Sequence, residues 1–231
     1  RRIFFIPGGI VVTAPHITSV YGSAEAEYVI KKSRFITHVK EVRREDEAAA
    51  YVEELKKKYW DANHTCYAWQ IGLGGKVQKS NDAGEPAGTA GKPILETLKK
   101  RGLTNTVAVV TRYFGGVKLG ASGLIRAYGH SVVVALDAAD IADYLPYTVL
   151  IYEFGYPYIS TIERLMESYA GTITDRSFGA DVTFTMQVPE EKAIAFQEAL
   201  TNSTNGRARL LDEGSKILPI IRPKEAAPAT D

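Results

Sequence analysis

Cysteine is nearly absent from this chain of 231 residues: Cys66 stands alone. A single thiol excludes an internal disulfide and any zinc site built from several cysteines, and a reducing cytoplasm is the simplest home for such a protein. Long apolar runs are missing too. No stretch approaches the roughly 18–20 apolar residues that span a bilayer, so no membrane partner is expected. His16, His38 and His130 have no metal-ligand spacing, and the sequence calls for no metal and no other cofactor. A dinucleotide fingerprint and a serine nucleophile elbow are also lacking; IGLGGKV, Ile71 to Val77, has valine where the last glycine is required. Overall charge bias is small, with 28 Lys+Arg against 27 Asp+Glu, but the balance hides an asymmetry. Residues 145–231 carry eight basic and twelve acidic side chains, leaving twenty and fifteen in residues 1–144. The excess gathers in residues 76–128, with nine basic and three acidic side chains. A basic region of this kind favours a polyanion, although Lys99, Lys100 and Arg101 also suit the C-terminal dipole of their own helix.

What is present centres on Thr106 to Ala138, TVAVVTRYFGGVKLGASGLIRAYGHSVVVALDA. The β-branched run around Val107 and Val109 reads as a buried strand, and the glycine-rich turn after it opens a helix. Gly115 and Gly116 permit close backbone approach to a ligand. The helix start adds unpaired N–H groups and the positive end of its dipole. Arg112, Lys118 and Arg126 surround this junction with positive charge; Arg126 lies one turn beyond Ser122 and leans back over the glycines. Phosphate is the expected ligand, with Tyr113 placed to stack on a base. The alternative is that the glycines serve tight strand–helix packing, with Arg112 and Arg126 paired to carboxylates. Leu124, Tyr128, Val132 and Ala135 occupy core spacing.

A long loop, Ser80 to Pro93 (SNDAGEPAGTAGKP), precedes this strand. Loops of that length inside a compact domain are usually functional or disordered. It is not a P-loop, because Pro86 replaces the first glycine and Pro93 the hydroxyl residue. Pro93 is expected to start a helix that Gly102 ends. Asp82, Glu85, Thr89 and Lys92 are expected to border the groove, and Asp82 and Glu85 to cap amides in preference to binding magnesium or acting as acid and base. His64 and Cys66 share a strand face, which would permit a thiolate–imidazole pair. No oxyanion site or orienting third group accompanies them, so packing is the preferred reading and no catalytic residue is assigned.

Three ordered segments, DANHTCYAW (Asp61 to Trp69), NDAGEPAGTAGKPIL (Asn81 to Leu95) and VVTRYFGGVKLGASGLIRAYG (Val109 to Gly129), together resemble the Impact family, whose bacterial members are the YigZ-like proteins. The resemblance covers about residues 24–216. One departure is Ser122, where a second glycine before Gly123 is more usual; serine there can cap a helix. The resemblance implies an N-terminal domain similar to the second domain of a small-subunit ribosomal protein and to domain IV of elongation factor G. It implies a C-terminal domain similar to that factor's ferredoxin-like domain V. A role in regulating translation follows, with RNA, the ribosome or a translation factor as partner. Eukaryotic relatives restrain the kinase of initiation factor 2 through a further N-terminal domain, and that pathway is not transferred here. No motif supports the peptidase labels that some bacterial relatives have carried.

The expected architecture is α+β in two domains: an extension over 1–23, an Impact-type domain over 24–140, a ferredoxin-like domain over 145–218 and a disordered tail over 219–231. RRIFFIPGGIVV at the start is interrupted by Pro7, Gly8 and Gly9 and is not read as an export signal. The first domain reads as strand 34–42, helix 46–60, strand 65–71, a hairpin partner after Gly75, the long loop, helix, strand and helix. The second reads as strand 148–154, helix 158–169, strands 171–178 and 181–188, helix 190–201 and strand 207–218, a βαββαβ order. The expected function is a non-enzymatic cytosolic regulator that binds RNA or a translation-factor site. The alternative is an enzyme or sensor for a small phosphorylated metabolite at the same anion site.

Overall fold

The computed structural model describes residues 16–224. The chain is a mixed α and β protein with five α-helices and two sheets among these residues. It falls into two compact units, Leu145–Leu218 and the described residues on either side of that span. Among the described residues no helix is long and apolar enough to cross a membrane.

In the first unit, β1 (Ile17–Val20) is followed by β2 (Ser23–Ile30), β3 (Ser33–Glu41), α1 (Glu45–Lys58), β4 (His64–Ile71), β5 (Val77–Asn81), α2 (Gly91–Lys100), β6 (Thr106–Tyr113) and α3 (Ala121–Ala138). Strands β2 to β6 form one sheet in the order β2-β3-β6-β4-β5, with every pairing antiparallel. The β-branched run of β6 takes the centre because both of its faces are covered. Val107 and Val109 pack with Trp69 and Ile71 against Ala48, Val52 and Leu55 of α1. Ala108 and Val110, pointing the other way, pack with Cys66 and Ala68 against Ile94, Leu98, Leu124, Tyr128 and Val132 of α2 and α3. The layers are therefore one helix, the sheet, and two helices. Alternation then directs Arg112 to the α2–α3 side and Tyr113 to the α1 side.

Two strands lie outside the sequence expectation. In β2 the residues Ala24, Ala26, Tyr28 and Ile30 turn inward on alternate positions and pack on the core. Strand β1 falls within the expected extension; it pairs with residues 141–144, which begin β7 (Ile141–Phe154). Ser19 anchors it, its hydroxyl lying 3.0 Å from the Asn105 carbonyl and 3.1 Å from Thr106 Oγ1. Residues 1–15 of that extension and residues 225–231 of the expected tail lie outside the described residues. In the described start of the tail, Arg222 donates to both carboxylate oxygens of Asp143 at 2.7 and 2.6 Å. Helix α2 begins two residues before Pro93. Its end follows the expected glycine: Gly102 takes φ 68°, and Leu103 N–H reaches back to Leu98 O at 3.0 Å.

The second unit runs from the later part of β7 through a 3-10 turn to α4 (Ile159–Ser168), β8 (Thr172–Phe178), β9 (Val182–Pro189), α5 (Glu190–Ser203) and β10 (Arg209–Ile221). The strands order as β10-β7-β9-β8. Leu150, Phe154, Val182, Phe184 and Met186 alternate inward and meet Ile162, Met166, Phe196 and Leu200 from the two helices.

Candidate functional site

The register of the first sheet gathers the sequence-selected residues at one end. There β3 begins, β6 ends and β4 begins, with Arg34 opposite Tyr113 and His64 opposite Arg112. Arg112 does not stand free for a phosphate. It is 5 % exposed, and its Nη1 donates to Glu85 Oε1 at 2.6 Å. The Tyr128 hydroxyl donates to the same carboxylate oxygen at 2.8 Å. Arg112 Nη2 lies 3.4 Å from Ser33 Oγ, while its buried Nε has no partner. The guanidinium carbon sits 5.4 Å from the Phe35 ring centre and 5.5 Å from that of Phe114. A strand residue with the parity of Ala108 and Val110 is carried into the α2–α3 layer, and a charge taken there needs a carboxylate partner. Glu85, expected to cap amides, supplies that partner from the long loop.

Asp82 does the capping. Its Oδ1 accepts from the N–H groups of Ala90 and Gly91 at 2.9 and 2.8 Å, and its Oδ2 accepts from Gly88 at 2.9 Å. Burial pushes this carboxyl upward, but the three backbone donors outweigh it and hold the pKa below the ordinary value. The loop can fold so closely because Gly91 carries no Cβ, which would lie 2.6 Å from Asn81 N. Thr89 is buried and donates to the Pro86 carbonyl at 2.7 Å. Lys92 is exposed on α2.

Beneath the loop, Cys66 Sγ lies 3.0 Å from Asp82 O and 3.4 Å from Tyr128 Oη. Burial pushes its thiol up to about 12, so Cys66 does not offer a thiolate at neutral pH. His64 Nδ1 lies 2.9 Å from the Ala83 carbonyl. A carbonyl only accepts, so Nδ1 carries a proton, and Nε2 lies 4.0 Å from Glu85 Oε2.

The glycine turn is shorter than a cap at Ser122 would make it, because α3 starts at Ala121. Its N-cap is Gly120, at φ 72° and ψ 167°, with no side-chain cap; Ser122 is already inside the helix. Gly115 is held against the β2–β3 hairpin: a Cβ there would lie 2.0 Å from the carbonyl carbon of Lys32, and Gly115 N–H donates to Ser33 Oγ at 3.2 Å. Tyr113 is half-buried and donates its hydroxyl to Asp61 at 2.8 Å. Lys118 and Arg126 are exposed, and neither forms an ion pair among the described residues. An open pocket of about 440 Å³ is lined by His64, Glu85, Arg112, Phe114, Lys118 and Gly120, among others.

Sequence reasoning missed Lys31 and Lys32. They form the two-residue turn of the β2–β3 hairpin, between the paired Ile30 and Ser33, both with positive φ (46° and 65°), and both are exposed. Such a turn is usually signalled by Asn-Gly, and Lys-Lys carries no such mark. Trp60, 83 % exposed just after α1, was also passed over, because it reads as the end of an amphipathic helix.

Comparison with known proteins places this arrangement. The Impact N-terminal domain matches residues 31–136, and a Domain of unknown function (DUF1949) matches residues 153–207. The IMPACT family member YvyE of Bacillus subtilis (strain 168) is 43% identical over 190 residues, 82% of this chain and 88% of that protein. The IMPACT family member YigZ of Escherichia coli (strain K12) is 37% identical over 184 residues, 79% of this chain and 90% of that protein. A solved structure described as a crystal structure of a hypothetical protein aligns at TM-score 0.56 with 34% identity, over 86% of this chain and 97% of its own. The chain belongs to the Impact family.

Proposed function

We propose that this Impact-family chain is a cytosolic, non-enzymatic protein associated with translation, and that it binds RNA through the basic end of its first sheet. The observation that carries this reading is the division of labour among its cations. Arg112 is locked inward by Glu85 and fixes the shape of the site, while Lys118 and Arg126 stand exposed beside the open first turn of α3. Backbone N–H groups at a helix start together with unpaired lysine and arginine suit phosphate oxygens. The likeness to domain IV of elongation factor G and to its ferredoxin-like domain V that membership of the family implies supports a ribosomal location.

The test is co-sedimentation with ribosomes at low and moderate salt, comparing the native chain with the Lys118→Ala/Arg126→Ala variant. Retention that falls with salt, and falls less steeply by a log–log slope of about 2 in the variant, is expected. No retention of the native chain at low salt would refute the reading.

The pocket favours a second reading, a small phosphorylated metabolite. Its volume of about 440 Å³ lies within the usual range of ligand sites. A panel of nucleotides and phosphosugars checks it by thermal shift: a true ligand at a hundredfold its Kd stabilises by about 2.7 kcal/mol. Silence across the panel removes this reading.

A further inference from the structure

We infer that the end of the first sheet where β6 terminates is a platform for a single, unstacked RNA strand, with bases against Trp60 and Phe114 and phosphates at Lys31, Lys32 and Lys118. The inference rests on the RNA reading above and specifies which form of RNA the site takes.

The two rings come first. Trp60 is 83 % exposed and Phe114 46 %, whereas Trp69, the other tryptophan, is 2 % exposed. The Trp60 segment is tied to the end of β6: Asp61 accepts from the Tyr113 hydroxyl at 2.8 Å, and Asn63 Oδ1 accepts from Phe114 N–H at 2.7 Å. These two bonds tie the segment just after Trp60 to the end of β6 that carries Phe114.

The cations come from the neighbouring hairpin and turn. Lys31 and Lys32 occupy a left-handed conformation that favours glycine or asparagine, and an outlier of this kind points toward function. The tip they form rests on Gly115, and Ser33 links it to the Gly115 N–H. Other cations at this end are already matched: Arg34 with Glu27 at 2.9 Å and Lys58 with Glu25 at 3.6 Å. Lys31, Lys32 and Lys118 form no ion pair among the described residues, so they join Arg126 as charges left for phosphate.

Exposed rings together with unmatched lysines discriminate between forms of RNA. In a duplex the base faces are stacked on one another and the rings gain nothing, so only the lysines would contribute. In a single strand each splayed base can lie on a ring, and the stacking tolerates any sequence.

The full chain is titrated with a short oligouridylate and with an RNA duplex of equal length, read by anisotropy of the labelled RNA and by tryptophan fluorescence. The expected result is tighter binding of the single strand, with quenching that disappears in Trp60→Ala and an affinity about tenfold lower in that variant. Lys31→Asn/Lys32→Gly keeps the hairpin turn, so its loss of affinity and shallower salt slope would report lost phosphate contacts in a chain that still folds. Equal binding of both RNAs, or single-strand binding that Trp60→Ala leaves unchanged, would overturn the single-strand platform while the RNA reading stands. Binding of neither RNA at low salt would overturn both.

Discussion

The two units of this chain bury different things. In the second, Thr148 and Thr204 are the only polar residues buried among those described, and the rest of the core is apolar. The Thr204 hydroxyl spends its hydrogen bond locally, on Leu200 O at 2.8 Å. In the first, Arg112, Glu85 and His38 are buried together with a series of threonines and serines. A buried ion pair is weak support for stability, since desolvation can exceed the attraction. Its place here, directly behind exposed lysines and an open pocket, suits a part in shaping a surface. Among the described residues the second unit buries no charged side chain.

The sharpest way to break this contrast is Glu85→Ala, which leaves the Arg112 guanidinium buried without a carboxylate. A loss of about 3–5 kcal/mol is expected in urea denaturation. The double variant Glu85→Leu/Arg112→Met removes both charges and should recover most of that loss, yet it should still bind ribosomes poorly because the loop and Ser33 lose their common anchor. Phe184→Ala in the second unit should also lower stability by about 3–5 kcal/mol, with ribosome retention intact. If the double variant is as unstable as Glu85→Ala, the cost lies in lost packing and the contrast fails.

The same contrast explains what the sequence disclosed. Elements of the second unit are legible to within a few residues because apolar positions alternate clearly, as in Val182, Phe184 and Met186. In the first unit β6 and the helical faces of α2 and α3 are equally plain. Strand β2 is not, since its inward residues include Ala24 and Ala26, whose small side chains give a faint period, and β1 falls in the segment expected to be an extension. The inward direction of Arg112 was available from its parity with Ala108 and Val110. That Glu85 meets it could not be read, because the two are joined only when the long loop folds over the sheet end. The Lys31-Lys32 turn was hidden for a different reason: its geometry follows from the pairing of β2 with β3, and its residue types argue against it.

A middle-sized effect separates the two glycines that follow β6. Gly115→Ala drives a Cβ to within 2.0–2.4 Å of the Lys32–Ser33 backbone, where nothing flexible can yield, and about 3 kcal/mol of stability should be lost. Gly116 has open space around it but φ 83°, so Gly116→Ala should lose about 1 kcal/mol from the left-handed conformation alone. Only the first should weaken RNA binding, because only it displaces the lysine hairpin. Equal losses in the two variants would mean that close approach to the hairpin is not the reason for Gly115.

The smallest effect is one of pH. Asp82 is held below its ordinary pKa in the folded chain by three backbone donors that outweigh burial. A carboxyl whose folded pKa is depressed contributes stability that is fully present above its unfolded value, about 3.9, and that is lost as pH falls through the lower, folded value. Cys66, beneath the same loop, keeps its proton throughout this window, since its thiol is pushed up to about 12. Asp82→Asn, which leaves one of the three backbone donors without an acceptor, should therefore destabilise the chain by about 1 kcal/mol at pH 7, and its melting temperature should converge on that of the native chain as pH falls from about 3.9 through the lower, folded value. A difference that stays constant over that range would place the capping energy in the hydrogen bonds themselves and not in the charge.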